Sequence, residues 1–211
     1  MTLADPVPAE VPSCWPSEGR AFEGGTEDDP TTVVVLGEGD RGVVLGPQNG
    51  QSMCQWANQA QRLAEQGYRV ASFTWTDDGS IAVLAAVETL ESLGAVDYAL
   101  VGASKGGAYA AGMATLLEPP PVAVIALGPP DEFGIDARFE SVGYDGPLLV
   151  IASTDDRSVD IEASRRVANP DDPEGFVELS GSAHGVALFD GEHRARVEEL
   201  IDGFLAAAFA G

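Results

Sequence analysis

The chain has no run of 18 or more uncharged apolar residues, so no transmembrane helix is expected in it. Its first residues, MTLADPVPAEVPSCWPSEG, lack the basic-then-apolar layout of a signal peptide. An exported form would already have lost such a segment. Lysine is nearly absent: Lys105 stands alone, and 11 basic residues face 34 acidic ones, for a net charge of -23. A surface of that sign repels phosphate backbones and anionic lipid, which excludes nucleic acid and membrane surfaces as expected partners. Histidines number only two, and the two cysteines are far apart, so no metal-ligand cluster can be assembled and no cofactor is expected. Cys14 and Cys54 are two buried thiols in a reducing cytosol, or the ends of a closed loop in an oxidising compartment. Such a bridge over about 40 residues contributes roughly 3–4 kcal/mol in the chain-entropy account. An acidic chain with that pair is expected to be secreted or in the cell envelope, with the cytoplasm as the alternative. Its oligomeric state is not legible.

What is present suffices for a core. Apolar residues make up 45% of 211, enough for one domain. Residues 1–30 are rich in Pro, Gly, Asp and Glu without a sustained period, and read as an irregular N-terminal arm. Residues 31–211 read as a single catalytic domain. Thr31–Leu36 and Gly42–Leu45 are β-branched runs parted by Gly-Glu-Gly-Asp-Arg, a hairpin signal. Thereafter the pattern alternates. Helical spacing over 53–66, 80–93, 107–117, 159–168 and 192–209 separates strand-like runs at 68–75, 98–101, 122–127, 147–152 and 175–179. VAVIAL and PLLVIA are apolar throughout, as central parallel strands covered on both faces must be. The fold class is therefore α/β, a doubly wound and mostly parallel sheet with helices on both faces.

Chemistry is concentrated at Gly102-Ala103-Ser104-Lys105-Gly106, a G-x-S-x-G between a predicted strand and a predicted helix. Glycines flank the serine because the turn is sharp and neighbouring Cβ atoms would clash. A serine hydroxyl needs a general base, and the base needs an acid to fix its tautomer. His184, in the loop after the last strand, is the candidate base. His193 opens the final helix and reads as part of a solvated face. After the strand PLLVIA, Ser153-Thr154-Asp155-Asp156-Arg157 offers two carboxylates, both placed to face an imidazolium.

The order of elements, the elbow, the acid after a strand and the late histidine resemble the α/β-hydrolase superfamily over roughly residues 31–210. The resemblance implies a triad of Ser104, Asp156 and His184, since the Ser-x-x-Asp-Arg pattern favours Asp156 over Asp155. It also places Gly46–Trp56 at the oxyanion loop, and Leu63–Val70 looks like the family's helix-to-strand segment. The implied oxyanion donors are the N–H of Lys105 and that of Gln48, with Asn49 second; Pro47 has none to give. The Gln48 side chain is a further candidate donor. This loop departs from the family's usual His-Gly form.

Only a short connection joins Leu127 to Pro147, leaving no room for a large cap. Phe133, Ile135, Phe139 and Tyr144 there line the site or form the core face of a short helix, the core being the commoner fate of such spacing. Asn49, Trp75 and Phe133 are the expected substrate contacts. The chemistry implied is hydrolysis of small-molecule carboxylic esters through an acyl-enzyme. Thioester hydrolysis or acyl transfer would use the same residues, and a non-catalytic binding protein retaining the fold is the reading from another class.

Overall fold

The computed structural model describes residues 3–211; Met1 and Thr2, the first two of the N-terminal arm, lie outside the described residues. The chain divides into two compact units, residues 1–98 and 99–211.

The first unit contains β1 (Val7–Ala9), β2 (Arg20–Gly25), β3 (Pro30–Leu36), β4 (Arg41–Gly46), α1 (Ala57–Glu65), β5 (Tyr68–Phe73) and α2 (Gly79–Ser92). Its strands lie in the order β1-β2-β3-β5-β4. The first three contacts are antiparallel and the last, β5 with β4, is parallel. Two expectations are corrected here. The stretch 1–30 is not irregular, because β1 and β2 form within it. Pairing of β1 with β2 and of β2 with β3 supplies the hydrogen-bond ladder that propensity alone does not, and Ala21 and Phe22 are buried. Nor do β3 and β4 form a hairpin. β5 runs between them, with Val33 opposite Phe73 and Val43 opposite Val70. The linker instead crosses the start of β5 closely. A Cβ on Gly39 would stand 2.0 Å from the Gly67 carbonyl oxygen, and one on Gly37 2.3 Å from that of Tyr68.

The disulfide is formed. Cys14 and Cys54 are bonded with their Cα atoms 5.4 Å apart, tying the N-terminal stretch to the 3₁₀ turn Met53–Trp56. Both cysteines are exposed, in place of the buried thiols expected of a reduced pair.

The second unit follows β6 (Asp97–Ala103), which crosses the boundary, with α3 (Lys105–Gly112), β7 (Ala123–Leu127), α4 (Phe139–Val142), β8 (Leu148–Ser153), α5 (Ile161–Val167), β9 (Phe176–Leu179) and α6 (Arg194–Ala208). Its strands are ordered β6-β7-β8-β9 and all pair in parallel. β5, β7 and β8 are buried at every position, as strands with both faces covered are. The α/β class with a mostly parallel arrangement holds. Between β7 and β8 the only α-helix among the described residues is the four-residue α4, so there is no large cap. No helix of the described residues is long and apolar enough to cross a membrane.

Candidate active site

Parallel strands all end at the same edge, and in the second unit that edge gathers the polar residues. β6 ends at Ala103 and the chain turns at once into α3. At the turn Ser104 has φ 52° and ψ -117°, the one positive φ outside glycine among the described residues. Such backbone strain costs on the order of 1–3 kcal/mol and persists only where surroundings impose it. Here they do: a Cβ on Gly102 would lie 2.1 Å from the Gly106 carbonyl oxygen, so the strand and the helix touch backbone to backbone. The Ser104 N–H donates to the Leu127 carbonyl (2.9 Å), and Ala108 N–H donates to the Ser104 carbonyl (3.0 Å). Lys105 occupies the first helical position of α3, where an N–H has no intrahelical acceptor.

The residue after Leu127 is Gly128, whose N–H donates to the Ile151 carbonyl (2.8 Å). Its φ is +56°, and a Cβ there would meet His184 Nδ1 at 3.2 Å and Asp156 Oδ2 at 3.4 Å. Absence of a side chain at this point lets an imidazole and a carboxylate close over the end of β7. They meet each other at 2.6 Å, His184 Nδ1–H donating to Asp156 Oδ2. The other carboxylate oxygen of Asp156 accepts from the N–H groups of Ser158 (2.8 Å) and Val159 (3.3 Å). The Asp156 side chain is 2% exposed and that of His184 15%. With Nδ1 protonated towards the carboxylate, the Nε2 lone pair is left to accept a proton.

The loop carrying His184 is held from β8 and the turn that follows it. Thr154 N–H donates to the Leu179 carbonyl (2.9 Å) and Asp155 N–H to that of Gly181 (2.8 Å). The buried Ser153 hydroxyl donates to the Ala183 carbonyl (2.7 Å). Asp155 itself points outward, its carboxylate accepting from the Thr154 hydroxyl (3.2 Å). His193 stands apart from this pair, and it is not merely a solvated face. Its Nε2–H donates to the Ser180 carbonyl (2.7 Å), a fourth tie on the same loop.

Of the other residues expected at the site, Phe133 is 38% exposed in the loop after β7, whereas Tyr144 is buried with its hydroxyl on the Pro121 carbonyl (2.7 Å). Ile135 lies against Gly112, where a Cβ would meet its Cγ1 at 2.8 Å, and Phe139 is half-buried. In the first unit, Trp75 Nε1–H donates to the carbonyls of Pro47 (3.1 Å) and Gln48 (3.3 Å), which joins Trp75 to the Gly46–Gly50 loop. Gln48 is half-buried and Asn49 exposed. With its amide oxygen turned towards Gln48, Gln55 accepts from the Gln48 N–H (2.9 Å) and from Trp56 Nε1 (3.2 Å). Gln55 and Gly128 were not singled out in the sequence, and Ser153 only as the first residue of the Ser-x-x-Asp-Arg pattern. Gly128, at the carboxyl end of an apolar strand, carried a signal; Gln55 carried none.

No family model matches the chain, and no curated protein matches it. Solved structures do. An esterase of Pyrococcus furiosus superposes with TM-score 0.75 at 17% identity, over 95% of this chain and 96% of its own. Est1E from Butyrivibrio proteoclasticus gives 0.73 at 16%, over 90% and 99%. An enol-lactonase from Burkholderia xenovorans gives 0.68 at 15%, over 85% and 98%. The likeness is one of fold: the chain has the α/β-hydrolase fold.

Proposed function

We propose that the chain is a serine hydrolase of small-molecule carboxylic esters, with Ser104 as nucleophile, His184 as base and Asp156 as the acid that orients it. The observation that carries this reading is the His184–Asp156 pair closed over Gly128, one residue beyond the Leu127 carbonyl that receives the Ser104 N–H. In the reaction, Ser104 Oγ attacks the ester carbonyl carbon while His184 Nε2 takes its proton. Asp156 stabilises the imidazolium. The tetrahedral oxyanion is received by the N–H of Lys105. Within the first unit, engagement of the Gln48 N–H by Gln55 favours the Gln48 side-chain amide over that N–H as a donor. Collapse expels the alcohol, which takes its proton from His184. Water then attacks the acyl-enzyme with His184 again as base.

Within the second unit, Phe133 is assigned as a substrate contact. The esterase and lactonase names among the solved structures of the same fold agree with ester chemistry. The disulfide and the charge of -23 agree with a secreted or envelope location, and the acidic surface with a partner that is neither nucleic acid nor membrane.

The test is hydrolysis of p-nitrophenyl esters from acetate to palmitate by the wild type and Ser104→Ala, together with labelling by a fluorophosphonate probe. Turnover and labelling that both depend on Ser104 are expected. A folded protein that shows neither would be a binding protein on this fold.

A further inference from the structure

We propose that the ester taken at Ser104 carries a carboxylate on its acyl chain, received by the ammonium of Lys105. This rests on the serine-hydrolase reading and adds a substrate class to it. Lys105 is the only lysine in a chain of net charge -23, and it directly follows the nucleophile. It also occupies the first position of α3, the end of a helix where the macrodipole disfavours a cation. A lysine serving only solubility has no reason to fall there, and elsewhere the chain meets its need for cations with arginine.

The side chain does not stand out in water. Its Nζ lies 5.6 Å from the ring centre of Tyr109, one turn along α3, and Tyr109 is itself buried. Beyond the same ring comes the loop after β7. A Cβ on Gly134 would stand 2.8 Å from the Tyr109 hydroxyl, and its neighbour Phe133 is exposed. The cation of α3 thus lies beside a buried aromatic ring whose hydroxyl end meets the loop that carries the exposed Phe133. Burial lowers the ammonium's pKa from its ordinary value, and an anion seated beside it would offset that desolvation.

Consecutive Cα atoms are about 3.8 Å apart, and the lysine's flexible stem extends roughly four carbons. Starting one residue from the nucleophile, that stem gives the ammonium side-chain reach towards an acyl group held at Ser104. Since the field of the whole protein repels anions, such a preference must be local.

The experiment compares p-nitrophenyl hemiadipate with its methyl diester in the wild type, Lys105→Met and Lys105→Arg. In the wild type kcat/KM is expected to favour the monoanion by about tenfold, mainly through KM. Lys105→Met is expected to reverse the ratio, because only the repulsive field remains, and Lys105→Arg to restore part of it. A wild type that favours the diester, or a ratio unchanged in Lys105→Met, would overturn the proposal. Should Lys105→Met not fold, the wild type alone decides: monomethyl adipate must inhibit diester hydrolysis competitively and better than dimethyl adipate does. Absence of turnover of both esters, with Ser104 unlabelled by fluorophosphonate, would instead sink the hydrolase reading and this proposal with it.

Discussion

In the first unit three of the four strand contacts are antiparallel, and a disulfide ties its N-terminal stretch to the turn after the Gly46–Gly50 loop. In the second unit every strand contact is parallel, and the described residues include no disulfide. The difference separates two ways of organising a chain. Parallel strands place all their carboxyl ends at one edge, so Ser104, Gly128, Asp156 and the loop to His184 gather there, the loop held by hydrogen bonds from β8, the turn after it and His193. Antiparallel strands send successive ends to opposite edges. The first unit fixes its one loop of interest through side chains instead: Trp75 on Pro47 and Gln48, and Trp56 on the Gly46 carbonyl (3.1 Å).

Breaking the second unit's edge is expected to remove function, and breaking the first unit's tether to remove stability. Ser104→Ala or His184→Ala should lower kcat by about 10⁴ or more with little change in thermal midpoint, read by p-nitrophenyl ester kinetics and calorimetry. Asp156→Asn should fall by a similar factor, since it loses the tautomer control. Asp155→Asn, exposed and facing away, should change turnover less than about twofold. A comparable loss in both would mean that the choice between the two aspartates is wrong.

Reduction of Cys14–Cys54, or the double substitution to alanine, should cost roughly 3–4 kcal/mol in denaturant unfolding. Destabilisation well below 1 kcal/mol would assign the N-terminal stretch to its strand pairing alone. Gly102→Ala is expected to cost about 3 kcal/mol, because its Cβ would meet backbone and not a flexible side chain. Unchanged stability there would mean that β6 and α3 are free to separate. A modest effect belongs to His193→Ala, which releases Ser180 and should lower kcat by about fivefold with KM little altered. His193→Gln, which keeps a donor on a side chain of similar reach, should recover most of it. Failure of the glutamine to do so would remove His193 from the support of His184.

Much of this was legible along the chain because it is local. Flanking glycines announce a strand-to-helix turn, and the apolar runs at 122–127 and 147–152 announce buried parallel strands. The misreadings are non-local. Nothing near Gly37–Asp40 indicates that the chain steps over β5 in place of closing a hairpin, because the partner lies about thirty residues on. β2 was missed for the same reason: Arg20–Gly25 becomes a strand by pairing with β3, not by its own propensity.

By itself, then, the sequence determined the α/β class, the glycine-flanked serine at a helix start and the short supply of histidines that left His184 as candidate base. Those depend on residue types and their spacing. Tertiary structure decided what the resemblance had only implied, that Asp156 and not Asp155 meets His184, and by itself that Gly128 makes room for the pair, that Gln55 engages the Gln48 N–H and that Cys14 bonds to Cys54. All but the contact of Gln55 with Gln48 are distances between segments remote in the chain. Such distances are set by how strands order and pack, which no local pattern specifies.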